Sequence, residues 1–311
     1  MILKQDLHIH THCSCDSASA QIVDVLKAGQ QLGFTHFGIS DHLHTRFNLP
    51  DIEVARKEFL ALGPVPGFHF GLEITCVTQW ECEKIAKRDY ASCFTYDLKG
   101  HPFQTMTPID GIMYGGPANG PLLLDITAEE IERLGIEYII GGVHKPNYTE
   151  QAPRSMINDF FNQMCFMLNH EFVDIIAHPW DGLPFWSGYK ILSQDPKDLN
   201  FEAYRMIPSE YWDELAKLFI DNHKLAELNA ASILNARFPE DIRHLYMNEM
   251  AAWREKGVKF TYGSDLHAAQ YDTALTMRFN GLLQNYGFTK KDFYLPPLLK
   301  DIIKKKDELC N

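Results

Sequence analysis

The chain has 311 residues, 45% hydrophobic and 23% charged, which is ordinary for a folded protein large enough to build a core without disulfides. Its net charge of −12 argues against a nucleic-acid backbone as partner, yet leaves room for a small anionic substrate if bound divalent cations reverse the local potential. Seven cysteines at irregular spacings argue against a complete disulfide framework, and no apolar run reaches membrane-spanning length.

Met1-Ile2-Leu3-Lys4-Gln5 leads directly into a strand at residues 6–10 with no signal-peptide pattern, so a cytoplasmic location is expected. An amphipathic helix follows at 20–32, closed by Gly33, then a strand at 36–42, a helix at 52–62 and a third strand at 69–77. From about 91 to 124 the pattern dissolves into Gly, Pro and aromatic residues, including Tyr114-Gly115-Gly116-Pro117. A stretch of that kind is either a lid or binding loop or a passive insertion. Thr127 and Gly135 then bracket a helix at 128–134, before a fourth strand at 137–144. The remaining order is helix 155–169, strand 173–178, helix 210–222, strand 225–229, helix 239–256 closed by Gly257, and strand 258–267. Strict alternation predicts a parallel sheet with right-handed crossovers. The count is seven strands, not eight. With no repeat or interdomain linker, residues 1–311 read as one α/β domain carrying an insertion between strands three and four.

Metal-competent side chains gather at one end of these strands. Strand one carries His8 and His10, and the loop beyond it carries Asp16. Strand two ends in Asp41-His42, strand three carries Glu73, and strands four and five end at His144 and His178. Strand seven ends in Asp265 and His267. In a parallel barrel the C-terminal ends of different strands converge on one mouth, where active sites sit. His8 and His10 are two apart, as are Asp265 and His267, so each pair is expected to share a strand face. Asp6 falls on the face of His8 and is a candidate acceptor for its second ring N–H. The candidate ligands, His8, His10, Asp16, His42, Glu73, His144, His178, Asp265 and His267, exceed what one catalytic metal takes from a protein. Two or three divalent ions fit better, and mixed imidazole and carboxylate donors suit zinc, manganese or iron. Cys13 and Cys15 flank this cluster without a matching second pair, so plain reduced thiols are expected there. Cys76, Cys82, Cys93 and His101 show no ligand spacing either.

Six motifs occur in order: Asp6-Leu7-His8-Ile9-His10-Thr11, Ile39-Ser40-Asp41-His42, Gly71-Leu72-Glu73, Gly142-Val143-His144, Ala177-His178-Pro179 and Gly263-Ser264-Asp265-Leu266-His267. Together they resemble the PHP (polymerase and histidinol phosphatase) family. The resemblance implies a distorted seven-stranded (β/α)7 TIM-like barrel with a trinuclear metal centre. It further implies that His8, His10, Glu73 and Asp265 hold one metal. Glu73 would bridge to a second metal at His144 and His178, and Asp16, His42 and His267 would hold a third. Some family members carry histidine where Asp16 stands, and a carboxylate there favours a harder ion such as manganese.

The family includes enzymes that hydrolyse phosphate esters, notably histidinol phosphate. The expected activity is therefore phosphomonoester hydrolysis by a metal-bridging hydroxide, with Glu73 and Asp265 positioning it and Asp41 a candidate proton donor. Lys145 and Arg46 are candidate phosphate contacts, with plain surface charge as the alternative, and Asn229 is a candidate substrate contact at the end of strand six. Trp180 and Trp186 are candidate pocket walls, and specificity is expected in segment 91–124 and the loops around Arg46, Trp180 and Gln270. The partner expected is a small phosphorylated molecule, with neither nucleic acid nor membrane. Three rivals stay open: phosphodiester or nucleotide hydrolysis on the same site, an amidohydrolase-type barrel, and a non-catalytic module of the same family. The amidohydrolase reading would require a lysine-derived bridging ligand on strand four, for which Lys145 is the one candidate.

Overall fold

The computed structural model describes residues 3–96, 102–105, 107–108, 110–114, 116–117, 120–147, 152–188, 195–297, 299–300 and 303. Seven parallel strands form a nearly closed barrel: β1 Gln5–Asp6, β2 His36–Ile39, β3 Phe68–Thr75, β4 Tyr138–Gly142, β5 Ile175–Ile176, β6 Leu225–Asn229 and β7 Lys259–Gly263. They pair in chain order, each parallel to the next. The barrel closes through the loops beyond its first and last strands. His10 N donates to Leu266 O at 2.9 Å and Asp265 N to His8 O at 2.8 Å, around a parallel bridge between Ile9 and Leu266.

The hydrogen-bonded strands are shorter than the apolar runs suggested. β1 stops at Asp6 and β7 at Gly263, so His8, His10, Asp265 and His267 belong to the segments leaving the strands. A short strand at His42–Leu43 adds to the sheet beside Glu73 and Ile74 of β3.

Helices α1 Ile22–Leu32, α2 Leu49–Ala61, α3 Gln79–Ala86, α4 Ala128–Leu134 and α5 Pro153–Asn169 occupy the first half of the chain. In the second half lie α6 Leu183–Trp186, α7 Ser209–Asp221, α8 Ala230–Ile233, α9 Glu240–Lys256 and α10 Thr273–Asn285. The cap signals behave as their chemistry requires. Thr127 Oγ1 accepts from Glu130 N, and the Glu130 side chain accepts from Thr127 N, a reciprocal capping box. Gly33, Gly135 and Gly257 end α1, α4 and α9 in the left-handed conformation.

Four helices were not expected; two of them, α6 and α8, are single turns of 4 residues. α3 has only 8 residues, too few for a clear period, and is capped by Thr78, whose hydroxyl accepts from Glu81 N. α10 follows the last motif and is capped by Asp272, whose carboxylate accepts from Leu275 N at 2.9 Å. The barrel's outer layer buries its apolar stripes against the sheet. Met156, Ile157, Phe160 and Met164 of α5, for instance, join Ile139 and Ile176 in the main core. Segment 91–124 contains a small antiparallel hairpin, Phe94–Tyr96 with Pro102–Gln104. It returns to the barrel through Leu122–Leu123, paired with Val77–Thr78. Gly115, Ala118, Asn119 and His101 lie outside the described residues. No described helix is long and apolar enough to cross a membrane.

Candidate metal centre and pocket

Alternation along β3 puts Gly71 and Glu73 on one face, and Glu73 is completely buried. Its Oε2 lies 3.1 Å from His8 Nε2, 3.3 Å from His10 Nε2 and 3.0 Å from His42 Nδ1. Its Oε1 lies 3.1 Å from His144 Nε2 and 3.2 Å from His178 Nε2. Asp265 Oδ1 adds contacts of 3.5 Å to His8, 3.3 Å to His10 and 3.5 Å to His267. Asp16 Oδ2 lies 3.2 Å from His42 Nε2 and also touches His267 Nε2.

Hydrogen bonding does not account for this convergence. Both Glu73 oxygens, His42 Nδ1 and His144 Nε2 are buried with no partner in hydrogen-bond geometry among the described residues, despite the short separations. Buried polar atoms nearly always have one. His8 Nε2 and His10 Nε2 face each other at 3.0 Å. Donors bound tetrahedrally at about 2.0–2.2 Å from a metal stand roughly 3.3–3.6 Å apart. The separations of 3.0–3.5 Å among His8, His10, Glu73 and Asp265 approach the edges of such a polyhedron. The chemistry of the donor set therefore fits divalent metal.

The electrostatics agree. Burial works against charge on Glu73, but His8, His144 and His42 hold its carboxyl well below the ordinary range. Burial likewise opposes a charge on Asp265, and His8 and His10 overcome it. Burial disfavours protonation of His8, yet Glu227, Glu73 and Asp265 push its pKa well above the usual value. His178 is pushed up to about 10, where Glu73 outweighs burial, while burial takes His144 down to about 4. Cations in place of those protons would leave the imidazoles neutral, the form that binds metal.

The local backbone is shaped for the cluster. A Cβ on Gly142 would meet His144 Cε1 at 2.3 Å and Glu73 Oε1 at 2.5 Å, so only glycine leaves room for both. Neither His178 nor Asp265 is glycine, yet both adopt positive φ, at 32° and 55°. Such conformations cost free energy and persist where surrounding contacts impose them. The turn at Asp265 also replaces the simple strand alternation expected for Asp265 and His267.

The PHP domain family matches residues 6–231 of this chain. The chain belongs to that family. Among solved structures it is similar to the histidinol phosphate phosphatase HisK of Lactococcus lactis, crystallised with zinc, L-histidinol and phosphate. That likeness has a TM-score of 0.55 at 15% identity, covering 92% of this chain and 94% of the other. It is also similar to a Listeria monocytogenes protein assigned as histidinol phosphatase HisK, with a TM-score of 0.48 at 12% identity over 86% and 96% of the two chains. At 15% identity the likeness to the Lactococcus lactis protein is one of fold. No curated protein sequence matches the chain.

All nine candidate ligands of this PHP domain thus meet at the barrel mouth. The residues expected around them fare differently. Asp6 is not the acceptor behind His8: its Oδ1 takes the backbone N–H groups of His8 and Ser264 and its Oδ2 the Tyr271 hydroxyl. The acceptor is Glu227 on β6, whose Oε1 lies 2.6 Å from His8 Nδ1 and whose Oε2 accepts from His178 N at 3.0 Å. A Cβ on Gly263 would sit 1.8 Å from that Oε1, so the glycine of the last motif is what admits Glu227. A lone acid inside Leu225-Ala226-Glu227-Leu228-Asn229, on the face of Asn229, was the available signal.

Asn229 does not point to a substrate. Its Nδ2 donates to Glu227 and Asp265, and its Oδ1 caps α8 at Ser232 N. Asp41 is buried and accepts from Thr11 N at 2.6 Å and Thr11 Oγ1 at 2.7 Å, which ties the loop after β1 to β2 rather than serving a leaving group. Lys145 is buried against Glu81 at 2.6 Å and is no phosphate contact. Arg46 clasps Asp125 through both its backbone N and Nε. His44, unremarked in the sequence, is linked to His144 through Thr75 Oγ1, which is 2.7 Å from His44 Nδ1 and 2.6 Å from His144 Nδ1.

A pocket of about 320 Å³ opens over the cluster, reaching Glu73, His42, His144, His178, Asp265 and His267. Its outer wall comes from Asp181, Trp186, Phe201, Arg237 and Phe238. Trp186 lines it, with its indole N–H on His144 O, whereas Trp180 is buried in the core and Gln270 is exposed away from the wall. None of the described lining residues comes from segment 91–124, nor is Arg46 among them.

Proposed function

We propose that this PHP domain is a metal-dependent phosphoesterase that hydrolyses a small phosphomonoester. The observation carrying the reading is Glu73: one buried carboxylate with its two oxygens turned to five imidazoles, at the floor of a pocket of about 320 Å³. That volume suits a small molecule. His8, His10, Glu73 and Asp265 would hold one ion, Glu73 with His144 and His178 a second, and Asp16, His42 and His267 a third. Divalent ions there supply an activated water and neutralise charge on the phosphoryl oxygens. The chain's own residues do the rest. Glu227 and Asn229 fix the rings and carboxylate that face the substrate. Trp186, Phe201 and Phe238 wall out bulk water, which strengthens every charge interaction inside. Arg237, the one lysine or arginine among the described lining residues, would meet a phosphate oxygen. The histidinol phosphate phosphatase from Lactococcus lactis makes histidinol phosphate the first substrate to try.

Two observations weaken the amidohydrolase alternative. Lys145 Nζ is committed to Glu81 and Met113 O, and Glu73 occupies the bridging position between the imidazole groups. Purified protein loaded with manganese or zinc is to be assayed against phosphomonoesters, phosphodiesters and amides. Phosphate release from a monoester is expected to dominate. No release from any ester, with metal shown bound, overturns the reading.

A further inference from the structure

A second group of donors lies outside the nine-residue centre. His12 and Cys13 stand in the loop after β1, and Glu58 stands on α2. His12 Nε2 is 3.4 Å from Glu58 Oε1 and 3.7 Å from Cys13 Sγ. The three donor atoms all lie within 4.8 Å of one another. A zinc-class ion takes sulfur at about 2.3 Å and nitrogen or oxygen at about 2.0–2.1 Å, so tetrahedral donors stand roughly 3.6 Å apart for S···N and 3.4 Å for N···O. The observed spacings match those two edges. His12 Nδ1, on the far side of the ring, is buried with no hydrogen-bond partner among the described residues, so the ring's polar contacts all face Cys13 and Glu58.

A simple surface ion pair between His12 and Glu58 would need no thiol. Here the sulfur sits on the same imidazole nitrogen as the carboxylate, which a hydrogen bond to one partner does not require. The side chains of His12 and Glu58 are 30% and 43% exposed, so an ion has a route in and a side open to water as fourth ligand.

We propose that His12, Cys13 and Glu58 form a separate site for one divalent cation of the zinc class, with water completing its shell. Thiolate, imidazole and carboxylate together select a borderline-soft ion over magnesium or calcium. An ion there would pin the loop that runs from His10 to Asp16 onto α2.

Cobalt(II) makes the test specific, because a cobalt–thiolate bond gives an intense near-ultraviolet charge-transfer absorption and none of the nine centre residues is a cysteine. Wild-type protein titrated with cobalt is expected to show that band, and Cys13→Ser to lose it together with about one bound ion per chain by elemental analysis. Glu58→Gln, a change on a half-exposed helix position, is expected to keep the band and weaken its titration about tenfold or more. Cys15→Ser is expected to behave as wild type. Absence of the band in cobalt-saturated wild type overturns the site. So does a band that survives Cys13→Ser, or one that vanishes with Cys15→Ser. Activity plays no part in this readout, so its failure and that of the phosphoesterase reading are distinguishable.

Discussion

Glu73 on β3 and Glu81 on α3 are both completely buried, in neighbouring elements, and they are satisfied in opposite ways. Glu81 Oε2 meets Lys145 Nζ at 2.6 Å and its Oε1 accepts from Met113 N at 2.8 Å. One ammonium and one amide close its account of lone pairs, and in doing so they anchor the return of segment 91–124 against the loop after β4. Glu73 has no such partner: its oxygens face ring nitrogens that converge without donating in hydrogen-bond geometry. A buried carboxylate with its own fixed cation is a structural clasp. One ringed by ligand-type nitrogens is a place where the compensating charge must come from outside the chain.

The contrast is sharpest in what each loss should do. Glu73→Gln keeps the shape and removes the charge, and is expected to lower kcat/KM at least about 10³-fold, roughly 4 kcal/mol of transition-state stabilisation. The metal-free protein is expected to lose some stability as well, because His8 and His178 lose the carboxylate that raises their pKa. Phosphate-release kinetics beside calorimetry decide it, and activity within tenfold of wild type would remove Glu73 from the centre.

Lys145→Met should show the reverse. Breaking a buried pair by removing one partner costs about 3–5 kcal/mol, because the other charge is stranded. Chemical denaturation is expected to show that loss, with kcat/KM changed only a few-fold where the variant is folded. A large fall in kcat with unchanged stability would put Lys145 back in the active site.

Glu227→Gln probes the acceptor behind His8. Outer acceptors of this kind typically contribute 10–100-fold to metal affinity. Metal-buffer titration is expected to show a loss in that range while the fold survives. Unchanged affinity would mean that Glu227 serves only packing.

A third carboxylate, half-buried, calibrates the other two. Asp174 accepts from Ile139 N at 3.0 Å, and burial raises its pKa to about 6. The native state therefore binds a proton more readily than the unfolded chain between about pH 4 and 6, so this group's stabilising contribution is present at low pH and lost as pH rises through about 6. Partial exposure trims the effect to about 1–2 kcal/mol. Asp174→Asn is expected to flatten that part of the stability–pH curve, read by denaturation at pH 4, 5 and 6. An identical slope in both proteins would show that Asp174 keeps an ordinary pKa.

Much of the fold was legible. Thr127 with Glu130, and Gly33, Gly135 and Gly257, mark helix ends by local backbone chemistry, which the chain carries in itself. α3 was missed because 8 residues are too few to display a helical period. α10 lies beyond the last motif, with Asp272 as the local signal for its start. Among the site residues, His8, His10, Glu73, His144 and His178 stood out as polar side chains at the ends of apolar runs. Arg46 and Lys145 misled because a charge next to a motif looks the same in sequence whether it faces the pocket, clasps Asp125 or is buried on Glu81.

What the chain's order of residues determined by itself was the alternation of strands and helices and the placing of nine donors at one end of the barrel. Both follow from periodicity, since backbone geometry repeats the same way along every strand and helix. Only the tertiary structure decided the partners: Glu227 behind His8 through the gap at Gly263, Lys145 withdrawn onto Glu81, and Asp265 turned inward at positive φ. Alternation assigns a side chain to a face, but which distant group it meets there depends on how the strands close on one another.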